Sequence, residues 1–214
     1  MQQLPLEMVP PAEPDFDNYV AGANAEALAG VRSLAAGELR EAIVYLWGRP
    51  GSGRTHLLTA ALRANPALVA ADDVETLRPG HLQALFVAID AARDGSGPAV
   101  LASGSTAPAH LALREDLRTR LAWGLVYQLQ PLSDADKARH LRSQAERRGL
   151  RLGDEVLEYL LTRLPRDMST LLAVLEVLDR YSLVRQRALT LPLVREALAA
   201  AQQRAELPRQ TRLP

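Results

Sequence analysis

Cysteine is absent from all 214 residues. Disulfides, thiol catalysis and cysteine-held zinc sites are therefore excluded, and a reducing compartment is compatible. Aromatics are scarce, with 2 Trp, 5 Tyr and 2 Phe in the whole chain. An excess charge of one sign is also missing: 25 basic residues balance 25 acidic ones, so no bulk field draws the chain to nucleic acid or to an acidic membrane. Lysine occurs only as Lys137, the other basic residues being arginine; with abundant Ala and Leu, a coding bias accounts for that. No apolar run is long enough to span a bilayer. The N-terminus lacks the basic start and apolar core of a signal peptide. The expectation is a soluble cytoplasmic protein with no membrane partner.

What is present is globular in character, with 48% apolar and 23% charged residues. The length suits one domain, or a domain with a smaller appendage. The most informative stretch runs from Tyr45 to Leu58. Gly48, four further residues, Gly53, Arg54 and Thr55 fit the phosphate-loop pattern G-x-x-x-x-G-K-[ST], with arginine in place of lysine. Ile43 to Trp47 reads as a buried strand and Thr55 to Ala64 as a helix, so the glycines fall at a strand-to-helix turn. Glycines allow the backbone to turn its N–H groups around an anion, and the helix N-terminus adds its dipole. Thr55 would complete a Mg²⁺ shell, and Arg54 would supply the positive charge, although its planar fork is not interchangeable with an ammonium. A glycine-rich turn that binds nothing is the alternative. On the binding reading the nucleotide is lined by Gly48, Pro50, Gly51, Ser52, Gly53, Arg54, Thr55 and His56.

Residues 1–15 are Pro-rich and acidic, a flexible tail by composition. Within it Gln3-Leu4-Pro5-Leu6 could fit an apolar pocket as an extended peptide, or be an ordinary tail. Phe16 and Tyr19 are expected to pin the start of the domain, and Asn24 to cap a helix ending near Ala36. Residues 67–71 read as a buried parallel strand ending in Asp72 and Asp73. Acids at a strand's carboxyl end sit where ligands bind in open α/β sheets. Asp72 would hold the Mg²⁺ shell, and Asp73 could polarise an attacking water; a helix-capping pair is the alternative. Pro79 to Arg93 reads as a helix with Leu82, Leu85, Phe86 and Ile89 on one face. A third strand covers 99–105, a helix 111–123 and a fourth strand 125–129. From Gln130 onward only helices are expected, at about 133–148, 154–164, 167–185 and 192–203, with Ser133 capping the first; residues 204–214 read as frayed.

This order of parts resembles the AAA+ ATPases of the DnaA replication-initiator class and, within them, the Hda family of regulatory inactivators of DnaA. The resemblance covers about residues 2–203. It rests most on Arg118-Thr119-Arg120-Leu121-Ala122-Trp123-Gly124-Leu125, on Gln130 to Asp134, and on the loop with Thr55-His56-Leu57-Leu58. It implies an α/β fold: a P-loop AAA+ core over 16–130 with a parallel sheet, and an all-α lid over 131–203. It also implies that Arg120 is an arginine finger, that Arg166 is the lid arginine reaching the phosphates, that Ser105 lies near the sensor-1 position, and that Gln3, Leu4, Pro5 and Leu6 dock on the sliding clamp, the beta subunit of DNA polymerase III. Only sixteen residues separate Thr55 from Asp72, room for one helix and one strand, where the family fits one strand and one helix more. A sheet of four strands, with the usual edge strand missing, is therefore expected. A homodimer or another partner is a candidate to cover the new edge.

Two classes of function follow. The first is an adaptor bound to ADP or ATP, with weak or no ATPase of its own. With the DNA-loaded clamp it would stimulate hydrolysis of DnaA-bound ATP and so restrain initiation. The second is a self-sufficient DnaA-like or loader-like ATPase switch. A sequence-specific DNA-binding initiator is disfavoured by the neutral charge and by the lack of a helix-turn-helix segment after residue 203.

Overall fold

The computed structural model describes residues 13–164, 167–185 and 189–206. It divides into two compact units, one spanning Pro14–Leu132 and the other beginning at Ser133.

The first unit is built on four parallel strands, β1 (Ile43–Gly48), β2 (Val69–Ala71), β3 (Val100–Gly104) and β4 (Leu125–Leu129), in the spatial order β2-β3-β1-β4. Strand side chains alternate between faces, and β1 shows the result. Val44 and Leu46 join Leu101 and Leu129 under α1 (Ala25–Ala36) and α2 (Arg54–Ala64). Ile43 and Tyr45 join Val100 and Ala102 under α3 (Pro79–Arg93) and α4 (Glu115–Leu121). Both faces are covered, which is why the central strands read as continuous apolar runs rather than as alternation.

Among the described residues no strand lies between Thr55 and Ala67, so the sheet has four strands, as the short spacing requires. Several details differ from the sequence reading. β2 is an edge strand of three residues with Val69 and Ala70 half-exposed, not a buried strand. Shortness is one way to blunt an exposed edge. Asn24 stands before α1 but makes no side-chain cap bond. Its amide instead donates to the Gln130 carbonyl at 2.9 Å and accepts from the Gln130 N–H at 2.8 Å. A buried amide finds its partners where the fold offers them, and here it ties the start of α1 to the end of β4. The predicted third strand ends at Gly104 rather than Ser105, and the predicted helix over 111–123 contracts to α4, preceded by a 3₁₀ turn at Pro108–His110.

The second unit has its own core. α5 (Asp134–Arg147), α6 (Asp154–Arg163), α7 (Met168–Arg185) and α8 (Leu191–Glu206) bury Leu141, Leu160, Leu171, Leu175, Leu178 and Val194 together. α8 runs to Glu206, so residues 204–206 are helical and not frayed. Ser133 caps α5 as expected, its Oγ accepting the Asp136 N–H at 3.0 Å.

Candidate functional site

The loop between β1 and α2 has the backbone its glycines suggest. Gly51 and Gly53 have φ of 80° and 94°, in the left-handed region that only glycine occupies without strain. Gly48 has a different reason to be glycine. An added Cβ would fall inside contact distance of the Leu129 carbonyl oxygen on β4, so the first glycine of the motif serves strand packing. Ser52 is buried within the loop, and its Oγ has no hydrogen-bond partner. An orphaned buried hydroxyl at a helix N-terminus, inside a glycine cradle, fits an anion such as a nucleotide phosphate. Pro50 lies at the exposed turn of the loop.

The N-terminal segment crosses the loop. Asp15 caps a 3₁₀ turn at Phe16–Asn18, and Tyr19 follows it onto Gly53, where any Cβ would meet its ring at 2.7 Å. Tyr19 stands edge-on to His56, with ring centroids 5.3 Å apart. His56 Nε2 lies 2.9 Å from the Asp15 carbonyl oxygen. The expected pinning by Phe16 and Tyr19 is thus seen, and His56 serves that segment. Burial pushes the Tyr19 hydroxyl above its ordinary range, against the bond from Asn24.

The acid pair meets the loop. Thr55 Oγ donates to Asp72 Oδ2 at 2.6 Å, while Ser103 Oγ, fully buried in β3, donates to Asp72 Oδ1. Two hydroxyls thus orient one carboxylate. Hard oxygen donors of this kind suit Mg²⁺, which binds to one or two carboxylates plus substrate phosphates rather than to a protein cage. No group of three or more His, Cys, Asp or Glu side chains that could hold a metal ion exists among the described residues. When bound, Mg²⁺ would neutralise phosphate charge, and Thr55 and Asp72 would be the residues to hold it.

Asp73, expected to polarise water, is engaged by a cation. Its carboxylate Oδ1 lies 2.7 Å from the Arg54 guanidinium. Arg54 likewise turns to this acid rather than waiting alone in the loop. Glu75, which the sequence reading passed over, accepts the Ser105 N–H at 2.7 Å and links the acid turn to the loop after β3. Burial pushes its carboxyl up, but the Ser105 bonds and the Arg54 charge outweigh burial and leave it below the usual carboxylate range. Ser105 therefore meets a carboxylate through its backbone. On the same loop the Thr106 carbonyl accepts from the buried Tyr45 hydroxyl at 2.9 Å. Burial first, then the Glu75 charge, raises that hydroxyl's pKa.

Arg120 sits on α4 and is held within its own unit. It donates to Asp90 of α3 from Nε at 2.8 Å and stacks 3.8 Å over the Phe86 ring and 5.0 Å from that of Trp123. Arg114 is the arginine of this helix region most open to water, with 82% of its side chain exposed. Gly124 of the same motif is structural: its Cβ would collide with the Ile43 carbonyl. Arg166 and Gln3, Leu4, Pro5 and Leu6 lie outside the described residues. Ser103 was the signal missed in the sequence, a hydroxyl inside an otherwise apolar strand.

A family model described as "Hda, lid domain" matches residues 134–198. Among solved structures, domain III of the Thermotoga maritima replication initiation protein DnaA is similar with a TM-score of 0.66 and 19% identity, over 91% of this chain and 100% of that one. DnaA bound to AMPPCP and single-stranded DNA is similar at 0.65 and 15%, over 90% and 69%. The Thermotoga maritima RuvB branch migration motor follows at 0.57 and 15%, over 87% and 72%. No described helix is long and apolar enough to cross a membrane. Residues 134–198 thus match the Hda lid family, and the four-stranded parallel core with its phosphate-type loop shares the fold of DnaA domain III.

Proposed function

We propose that the chain is an adenine-nucleotide-binding regulator of replication initiation that acts on DnaA. The observation that carries this reading is the pairing of an Hda-type lid with a core of the DnaA fold. ADP or ATP would lie in the loop from Gly48 to His56, with Mg²⁺ at Thr55 and Asp72 and with Arg166 contributing from the lid. The neighbours bound to AMPPCP support an adenine nucleotide. With arginine in place of the loop lysine at position 54, turnover by the chain alone is expected to be weak. Arg120 would act in trans on ATP held by DnaA, where an arginine finger contributes several orders of magnitude. Its contact with Asp90 and its stacking on Phe86 would hold the guanidinium pre-positioned.

The chain, loaded DNA clamp and ATP-DnaA are combined and released phosphate is measured. Stimulation that disappears in Arg120→Ala, with the melting temperature of the variant checked in parallel, supports the adaptor. No stimulation by the wild type refutes it. The second reading, a self-sufficient ATPase, is favoured by the intact Thr55–Asp72–Ser103 arrangement. Steady hydrolysis without DnaA or clamp would select it.

Clamp docking through Gln3, Leu4, Pro5 and Leu6 belongs to the same proposal. Burying two leucines contributes roughly 3–5 kcal/mol gross, and association costs bring a single peptide to about micromolar affinity. Replacing Gln3, Leu4 and Leu6 by alanine should remove clamp binding in a surface-binding assay while nucleotide binding persists; undiminished clamp binding would refute the assignment.

A further inference from the structure

Arg54 is the first residue of α2, where an anion in the loop needs positive charge. Its guanidinium is already matched by Asp73 at 2.7 Å, in a pair whose side chains are 10% and 45% exposed. The two closest atoms make no well-aligned hydrogen bond, so the contact is one of charge with charge, and the carboxylate keeps an open side toward solvent. The approach is imposed by the backbone. Asp73 is the only non-glycine with positive φ among the described residues, at φ 45° and ψ 59°. Its N–H is anchored by Asp72 Oδ1 at 3.1 Å and by Ser103 Oγ at 3.2 Å. Asp is one of the few side chains that tolerate this conformation. A strained residue, held from a fully buried serine, therefore aims its carboxylate at the cation that the phosphate would use.

We infer that Asp73 is an affinity-setting residue, an internal competitor that occupies Arg54 until a nucleotide phosphate displaces it. This rests on the nucleotide-binding reading above. Phosphate and carboxylate share the guanidinium as acceptors. Part of the gross phosphate interaction is therefore spent on opening the Arg54–Asp73 pair, and measured affinity falls by that amount. Displacement has a second consequence: a carboxylate released from Arg54 by the phosphate is the one placed next to it. Binding and the availability of Asp73 toward water are thus coupled through one contact, which keeps the acid engaged while no phosphate is held.

The test is ADP affinity in chelator, so that no metal effect enters, for wild type, Asp73→Asn and Glu75→Gln. Asparagine has the size of aspartate and also accepts positive φ, so the turn is kept. Glutamine at 75 can still accept the Ser105 N–H, and the variant removes one negative charge near Arg54 without opening the contact. The expected result is about three- to fivefold tighter ADP binding by Asp73→Asn, the size of a partly exposed ion pair, with a clearly smaller gain for Glu75→Gln. Equal gains in both variants would mean a general field effect and would overturn the role of the pair. Unchanged or weaker binding by Asp73→Asn, with wild type binding ADP, would overturn the inference alone. Absence of ADP binding by both wild type and Asp73→Asn would overturn the nucleotide reading and this inference with it.

Discussion

Gly48 and Gly124 carry the same lesson from opposite ends of β1. Each looks functional in its motif, and each is glycine because a neighbouring backbone carbonyl leaves no room for a Cβ: that of Leu129 for Gly48, that of Ile43 for Gly124. Backbone cannot swing aside as a side chain can. Gly124→Ala is therefore expected to destabilise the core unit by about 3 kcal/mol or more, seen as a lower midpoint in urea denaturation; a midpoint unchanged from wild type would contradict the packing. Ser103 is the counterpart on the polar side. Its buried hydroxyl orients Asp72, and groups that orient a metal ligand commonly matter about ten- to a hundredfold in metal affinity. Ser103→Ala should raise the Mg²⁺ concentration needed for tight ADP binding by about tenfold while binding in chelator is not weakened. A parallel loss in both conditions would make Ser103 merely structural.

At the scale of the element, the start of α5 is the clearest unit. Ser133 Oγ accepts the Asp136 N–H at 3.0 Å and donates to the Asp136 carboxylate at 2.6 Å. That donated bond, aided by Arg139, holds the Asp136 carboxyl below the ordinary carboxylate range against the opposing effect of burial. A carboxyl lowered in the folded state stabilises it above the unfolded pKa. The contribution is lost as pH falls through the folded value. Ser133→Ala should therefore move the Asp136 titration upward in NMR and flatten the acid limb of lid stability. A titration curve that does not move would show that the bond contributes nothing in solution. β2 makes a different point. Among the described residues its three residues pair only with β3, yet they suffice to deliver Asp72 and Asp73 to the loop, because one parallel ladder sets the register.

For the whole molecule, the division into two units has an energetic basis. The sheet unit is packed around two clusters, one on each face, and the lid around a third that draws on α5 to α8. Leu175 is fully buried in the third. Leu175→Ala should cost the lid about 2–5 kcal/mol. Amide exchange would then rise across α5 to α8 while β1 and β3 keep their protection. Equal loss of protection in the sheet would mean that the two units unfold as one.

Local order was legible in the residues themselves. The β1 run, the glycine loop and the α2 helix follow from periodicity and from the conformations only glycine accepts. The four-stranded sheet follows from counting the sixteen residues between Thr55 and Asp72. The Leu82, Leu85, Phe86 and Ile89 face follows from helical spacing, and all four pack on the same cluster. What the chain order could not reveal are the partnerships between residues far apart in sequence. Asn24 meets Gln130 rather than capping α1, Arg54 turns to Asp73, Ser103 reaches Asp72 and Arg120 packs on Asp90 and Phe86. Hydrophobic period and turn chemistry act over a few residues and are written locally. A polar side chain satisfies itself with whichever partner the folded chain brings within about 3 Å, and only the tertiary structure decides which partner that is.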